Sequence, residues 1–182
     1  MEAIVYLLNF VFDAYLMLLV LRVWLQAVRA DFYNPFSQFV VKVTNPAVIP
    51  FRRMIPGLKG VDMATLLVAF LVACIKYWSL SMIGGQTIDI LSLLLISLLF
   101  VFKQSGTLLF VVMLVMALMS WVVQSRSPAQ MVFYQLTEPF LRPIRRVMPN
   151  FGGLDLSVLV AFVLLNLINI FIGSLIPVWS YL

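Results

Sequence analysis

Charged side chains and amides interrupt three long apolar runs of this chain. Asp13 lies in the first run, Lys76 in the second, and Asn166 and Asn169 lie three residues apart in the last. Ionisable groups inside a bilayer are costly enough to indicate a function or a specific partner. We therefore predict an intramembrane polar layer of Asp13, Lys76, Asn166 and Asn169 that faces the interior of a helix bundle.

Three interpretations of this polar layer remain open. Asp13 and Lys76 can form a buried ion pair, with the amides holding helices together. The layer can instead line a path for an ion or a proton. In the third interpretation the side chains lie at other depths and reach the membrane interface. The helical rise is consistent with a shared depth for Asp13 and Lys76. If the first span ends near Leu25, Asp13 lies ~18 Å from that end, and if the second span begins at Met63, Lys76 lies ~20 Å from that start.

A pair of arginines framed by prolines occurs twice, as P-F-R-R-M-I-P at 50–56 and as P-I-R-R-V-M-P at 143–149. Anchoring to anionic lipid headgroups requires cations near the interface but no fixed spacing. The flanking prolines pin φ and hold that spacing, which adds the hypothesis of a shaped surface for an anionic partner. A phosphate or substrate site is the third interpretation, and no glycine-rich loop, acid or nucleophile accompanies the pair. The predicted partner or headgroup surface consists of Arg52, Arg53, Arg145 and Arg146.

The sequence offers no set of side chains for catalysis, metal binding or a cofactor. It contains no histidine, which excludes histidine triads, histidine-ligated zinc and haem held by this chain's own imidazoles. The single cysteine, Cys74, lies in an apolar run and cannot form an intrachain disulfide. We predict a protein that is not an enzyme and that binds no metal or cofactor.

Hydropathy indicates the elements that position these side chains. The mean hydropathy is +1.10, and 64% of the 182 residues are hydrophobic while 10% are charged. Such values are typical of polytopic membrane proteins, in which a span needs ~20 residues. The apolar runs cover 4–21, 63–83, 88–123 and 156–178. We predict one long helix for 88–123, with a short re-entrant or interfacial piece followed by a span as the alternative.

Positive charge is concentrated between the apolar runs. Five Lys and Arg residues fall at 29–59 and four at 126–146, which together are nine of the twelve. This distribution is typical of a topology signal, and we predict no nucleic-acid partner. The positive-inside rule places both connectors in the cytoplasm and both ends of the chain outside. Two crossings within 88–123 would give an inverted repeat of the transporter kind, but would expose four arginines outside.

The chain contains an internal repeat. A shift of 93 residues aligns 35–62 with 128–155 without a gap, and nine of the 28 aligned positions are identical, well above chance. We predict a tandem duplication, in which residues 1–87 form the first unit and residues 88–182 the second. The framework of the repeated motif is Thr44, Pro46, Pro50, Pro56, Gly60 and Asp62, then Thr137, Pro139, Pro143, Pro149, Gly153 and Asp155.

Each connector is predicted to contain a short amphipathic helix in the membrane surface. Asn34 and Ser127 precede prolines and can cap the first turn. Apolar residues then recur at i, i+3, i+4 and i+7 in both copies. We expect these helices to stop by Asn45 and by Glu138, because a proline follows each of them.

Three further side chains receive local roles. Asp62 and Asp155 stand directly before apolar runs, where a carboxylate can cap the free N–H groups of a helix. Arg22 precedes Trp24, which corresponds to Trp121 in the second copy, and we expect its guanidinium to snorkel to the interface. The predicted fold is an all-α integral membrane protein with four transmembrane helices, a tandem duplication of a two-helix unit in which each cytoplasmic connector carries a short interfacial helix.

The duplicated pattern T-x-P-x-x-x-P-x-R-R-x-x-P-x-x-x-G-x-D resembles the hallmark of the YggT family of small integral membrane proteins. N-P-F-S at 34–37 and R-V-W at 22–24 fit as well, so the resemblance covers nearly the whole chain and indicates the two-repeat bacterial form. The resemblance implies a link to osmotic-stress tolerance and potassium uptake in bacteria. Relatives are linked to haem attachment on a b-type cytochrome in plastids, or to cell division and membrane organisation. It implies no catalytic residues.

The functional expectation has two forms. In the first, the protein is a non-enzymatic accessory factor of the inner membrane. It acts in membrane-protein assembly and organisation, or in osmotic and ion homeostasis, through its basic connectors. Its partners are anionic headgroups and a membrane protein or further copies of itself. In the alternative, it is a small oligomeric ion transporter or channel that uses the intramembrane polar layer.

Overall fold

A computed structural model describes residues 2–57, 60–122, 127–147 and 156–182 of the chain, and these residues are helical for most of their length. Four of the helices are long and apolar enough to cross a membrane, with α4 doing so over Ile90–Met119. The elements in chain order are α1 (Glu2–Ala27), α2 (Pro35–Arg52), α3 (Met63–Ile83), α4 (Ile90–Val122), α5 (Pro128–Val147), α6 (Ser157–Leu175) and a final 3-10 helix (Pro177–Tyr181). The predicted all-α membrane class with four apolar spans is confirmed.

Within the apolar run at 88–123, residues Ile90–Val122 form one continuous helix, α4, as predicted. Its 33 residues correspond to ~50 Å, more than the ~30 Å hydrocarbon core of a bilayer. Polar side chains near its middle bond within the helix: Ser105 Oγ donates to the carbonyl of Val101 and Thr107 Oγ1 donates to that of Lys103. The helix therefore passes through Gly106 without a break, and the alternative with a separate re-entrant piece is wrong.

Helix α2 begins as the sequence predicts. The side chain of Asn34 accepts a hydrogen bond from the Phe36 N–H at 2.9 Å, and Pro35 occupies the first helical position. Proline suits that position because its missing N–H would be unpaired there in any case. Asp62 likewise caps α3, since Oδ1 accepts from the Thr65 N–H at 3.2 Å. Both caps are confirmed.

The predicted ends of the connector helices at Asn45 and Glu138 are wrong. Helix α2 continues through two prolines to Arg52, and α5 continues through two prolines to Val147. Each proline frees the carbonyl four residues earlier, which normally disfavours a helix. All four prolines lie on exposed faces, so the freed carbonyls can reach water or headgroups instead. The prolines inside these helices are Pro46, Pro50, Pro139 and Pro143.

Helix α1 packs against α2, α3 and α4, and α3 also packs against α4. Leu16 and Leu19 of α1 are fully buried, and the small Ala69 and Ala73 of α3 are fully buried in the same cluster. Side chains as small as alanine let the helix backbones approach closely, which drives helix association where lipid removes the hydrophobic effect. Helix α6 packs against α4, α5 and the final 3-10 helix.

The two connectors touch each other. Asn34 Nδ2 donates to the Pro128 carbonyl at 2.6 Å, and the rings of Phe36 and Phe133 lie 5.1 Å apart between centroids. Helices α2 and α5 therefore lie at the same end of the bundle, where α1 and α4 end and α3 begins.

Candidate functional site

A buried arginine organises the first connector. The side chain of Arg22 on α1 is 3% exposed, and its Nη1 donates to Thr44 Oγ1 at 2.8 Å and to Asn45 Oδ1 at 2.9 Å. The expectation that Arg22 snorkels to the interface is wrong. The reason is that α2 lies against α1 at this level and presents oxygen acceptors, so the buried charge is hydrogen-bonded.

The carboxylate of Asp62 joins this network. Its Oδ2 accepts from Arg52 Nη2 at 2.6 Å and from Thr65 Oγ1 at 2.7 Å, and lies 3.8 Å from Arg22 Nε. Burial raises the pKa of Asp62, but the hydrogen bonds from Thr65 and the nearby Arg52 outweigh burial and hold the pKa below its ordinary value. The carboxylate therefore stays ionised and ties the ends of α1 and α2 to the start of α3.

The framework residues of the first motif thus have structural roles. Thr44 and Asp62 are buried and hold the two guanidinium groups, and Thr44 also donates to the Val40 carbonyl at 2.7 Å. Pro56 and Gly60 lie in the exposed turn before α3, where Gly60 has a φ of +88°. Residues with side chains rarely adopt that backbone conformation, so glycine is required there.

The second connector is built without an equivalent buried arginine. Aligning Trp24 with Trp121 places Met119 at the position of Arg22. Thr137, the counterpart of Thr44, contacts Met116 Sδ at 2.9 Å and donates to the Phe133 carbonyl at 3.0 Å. Pro149, Gly153 and Asp155 lie outside the described residues, as does the predicted cap by Asp155.

The two arginines of each pair differ in what they contact. The first arginine turns back into the chain: Arg52 donates to Asp62, and Arg145 Nη1 donates to Glu138 Oε2 at 2.8 Å. The second, Arg53 or Arg146, is exposed, and its side chain makes no hydrogen bond or ion pair with a described residue. The predicted four-arginine surface therefore divides into two internal arginines and two outward arginines. Arg52, with its side chain 47% exposed, still contributes to the surface.

Other exposed cations surround the outward arginines at this end of the bundle. Arg29, Lys42 and Arg142 are exposed, and Arg29 adopts a φ of +54°, which is costly for a residue with a side chain. Two open cavities of about 430 and 270 Å³ meet at Phe32, the first lined by Arg29 and the second by Lys42. The surface at this end is therefore basic and concave beside the connector helices.

The intramembrane polar layer forms only in part. Lys76 Nζ lies 2.5 Å from Asp13 Oδ1 and 3.9 Å from the centre of the Phe100 ring. The Tyr77 ring centre is 5.5 Å from the same ammonium group. The Lys76 side chain is 5% exposed and that of Asp13 is 36% exposed. The cation is enclosed by rings and a carboxylate, while the carboxylate itself reaches the surface of the bundle.

The prediction that the asparagines complete this layer is wrong. Both are exposed on α6, which packs on α4 and α5, whereas Asp13 and Lys76 pair between α1 and α3. Asn169 Oδ1 accepts a hydrogen bond from Trp179 Nε1 at 2.8 Å. The side chain of Asn166 makes no hydrogen bond with a described residue. The depth of the two residues along α6 was a poor guide to which helix they would face.

Sequence reasoning missed three polar residues on α4. Ser97 and Gln104 are buried, and Ser97 Oγ has no hydrogen-bond partner among the described residues. Their spacing of seven residues places them on one helical face, which is a signal that could have found them. Lys103 donates to the carbonyls of Trp179 at 2.7 Å and Leu182 at 3.0 Å. Those acceptors come from the final 3-10 helix and from Leu182 directly after it, and no local sequence pattern links that segment to α4.

The described residues contain no group of three or more His, Cys, Asp or Glu that could hold a metal ion.

Comparison with known proteins identifies relatives along the whole chain. The family model of CCB3/YggT matches residues 1–83 and 95–176. A Vibrio alginolyticus protein encoded in the proC 3′ region is 48% identical in an alignment of 185 positions that covers 100% of both chains. The YggT protein of Escherichia coli K12 is 46% identical over 170 residues, 93% of this chain and 88% of its own. A Pseudomonas aeruginosa protein is 39% identical over 173 residues, with the same shares covered. No solved structure matches the chain significantly.

Proposed function

The chain belongs to the CCB3/YggT family, and from that premise we propose that it is a non-enzymatic accessory protein that binds another membrane protein through its two connectors. It serves the assembly or organisation of that protein, or osmotic and ion homeostasis through it. The partner presents an anionic segment to the outward arginines, Arg53 and Arg146.

One observation carries this proposal: each motif turns its first arginine inward to a carboxylate and leaves its second outward. A motif that served only to keep positive charge at the interface would need no such division. Each exposed cation near an anionic leaflet contributes ~1 kcal/mol to membrane binding. The Arg52–Asp62 pair ties the end of α2 to the start of α3, and the Arg145–Glu138 pair lies within α5. The outward guanidinium groups are then presented from helices that touch through Asn34 and Pro128.

Topology and repeat organisation belong to the same proposal. Both connectors lie at one end of the bundle, and the positive-inside rule assigns that end to the cytoplasm of a bacterium, with both chain ends outside. The family model matches two separate segments, 1–83 and 95–176, which supports a tandem duplication. In this proposal α2 and α5 are amphipathic helices that lie in the membrane interface.

The test compares two double charge reversals with the same change in net charge. R53E/R146E removes the outward arginines, and K42E/R142E reverses two exposed cations on the same helices. A photo-crosslinker at position 53 or 146 should capture the same membrane protein, and co-purification of that protein should be lost in R53E/R146E alone. Equal loss in both variants, or capture of lipid alone, would show headgroup anchoring and would overturn the docking proposal.

An ion transporter or channel is the second candidate, and the partly exposed Asp13 beside the enclosed Lys76 favours it. A carboxylate with access to the bundle surface could exchange a cation or proton that the buried ammonium group repels. Protein reconstituted in vesicles should then carry a cation flux that Asp13→Asn abolishes. Absence of flux, or flux unchanged by Asp13→Asn, would remove this candidate.

A further inference from the structure

The side chain of Asn166 lies at the middle of the α6 span without a partner among the described residues. Asn166 is nine residues from each end of α6 (Ser157–Leu175), so it falls near the bilayer midplane if the helix crosses the membrane. Its side chain is exposed and makes no hydrogen bond with a described residue. An amide carries two donor hydrogens and an acceptor oxygen, and acyl chains satisfy none of them.

The other described asparagines are all bonded. Asn9 is also on a membrane span, and its Nδ2 donates to the Val5 carbonyl of its own helix at 3.0 Å. Asn34 and Asn45 bond within the first connector, and Asn169 accepts from Trp179. Asn166 is therefore the exception among them, and neither the turn before it nor the final 3-10 helix supplies a partner.

Helix α6 is also the span that the rest of the chain covers least. In its apolar stretch 6% of residues are buried, against 22% for α1, 22% for α3 and 33% for α4. The exposed face that contains Asn166 runs along the helix at spacings of four, three and four residues. It consists of Leu159, Val163, Asn166 and Ile170, all exposed.

We propose that two copies of this chain pair through this α6 face, with each Asn166 amide donating to the amide oxygen of the other. A second copy meets the requirement of depth, because a two-fold axis along the membrane normal places the same residue of both chains at the same level. It also meets the requirement of chemistry, since an amide is complementary to itself. Interhelical bonds of this kind hold transmembrane helices together.

Cysteine crosslinking in native membranes tests the geometry. In a Cys74→Ala background, Val163→Cys and Ile170→Cys place a thiol on the Asn166 face, and Leu95→Cys places one on an exposed position of α4. Oxidation should give a disulfide-linked dimer of this chain for positions 163 and 170 and little for position 95. A monomer at both α6 positions, equal crosslinking at position 95, or a disulfide to a different protein would overturn the proposal.

Removal of the amide tests the chemistry. Asn166→Leu should weaken the dimer on the order of tenfold in a vesicle-dilution FRET assay, whereas Asn166→Gln, which keeps the amide, should retain it. Asn9→Leu is the matched control, because it removes an amide that bonds within its own helix. Dimerisation unchanged by Asn166→Leu, or weakened equally by Asn9→Leu, would contradict the role of Asn166. Retention by Asn166→Gln would assign the loss in the leucine variant to the missing amide.

Discussion

Arg52 Nη2 lies 2.6 Å from Asp62 Oδ2, so an arginine of the repeated motif is bonded to the last residue of the same motif. This ion pair closes the turn between α2 and α3 and brings a second cation to the carboxylate that Arg22 approaches from α1. The first copy of the motif therefore ties helices together and also contributes exposed side chains to the surface. Arg53, the next residue, is exposed and faces outward.

Replacing Asp62 with alanine should destabilise the protein by about 3–5 kcal/mol, since Arg22 would remain buried without its carboxylate and α3 would lose its cap. The free energy of unfolding in bicelles is the measurement. Asp89→Ala is the matched control: Asp89 Oδ2 accepts from the Ser92 N–H at 2.8 Å near the start of α4, but the residue is exposed. Losses of equal size in the two variants would show that Arg22 does not depend on Asp62.

Acid should remove the contribution of Asp62. Its pKa in the folded protein lies below the ordinary 3.8, because Thr65 and Arg52 outweigh the effect of burial. A carboxyl group with a lowered pKa contributes stability that is complete above its unfolded pKa of ~3.9 and is lost as the pH falls through the folded value.

The difference in unfolding temperature between the wild type and Asp62→Asn should therefore be constant from about pH 6 to 8 and shrink below about pH 4. A difference that grows as the pH falls would contradict the assigned direction.

Neutralising Lys76 alone should destabilise the protein, because the Asp13 carboxyl group would be left inside the span without its ionic partner. Lys76→Met combined with Asp13→Asn should recover part of the loss, with a coupling energy of about 0.5–3 kcal/mol in a double-mutant cycle of unfolding free energies. Additive losses would show that the 2.5 Å contact contributes no pairwise energy.

The ring of Trp179 should contribute more to the free energy of unfolding than its N–H group does. Trp179→Phe removes the donor to Asn169 but keeps an aromatic side chain under Lys103, and should cost about 0.5–1.5 kcal/mol. Trp179→Ala should cost more, because the side chain is buried. Trp78→Phe, at an exposed position, is the control and should change the unfolding free energy little. Equal effects of the phenylalanine and alanine variants would place the energy in the hydrogen bond.

Local pattern was sufficient for several features. The four spans follow from runs of apolar residues, which need no knowledge of the rest of the fold. The caps by Asn34 and Asp62 follow from residue type next to a helix start. Family membership follows from the motif itself. The lengths of the connector helices were predicted wrongly. Whether a proline ends a helix depends on whether the carbonyl group that it frees finds another hydrogen-bond donor. That in turn depends on how exposed the carbonyl group is.

The sequence by itself determined the class of the protein, its spans, its family and the polar side chains that lie in or beside the spans: Arg22, Lys76, Asp62 and the asparagines. Only the tertiary structure decided which partner each of them has. Arg22 is buried because α2 brings Thr44 and Asn45 against it, and Lys76 meets Asp13 because α1 and α3 pack together. Asn166 has no side-chain partner within the described part of the chain, because α6 packs on α4 and α5 with its other face. Hydropathy sets the depth of a residue, but the direction in which it points depends on which helices pack together, and that is a property of contacts far apart in the chain.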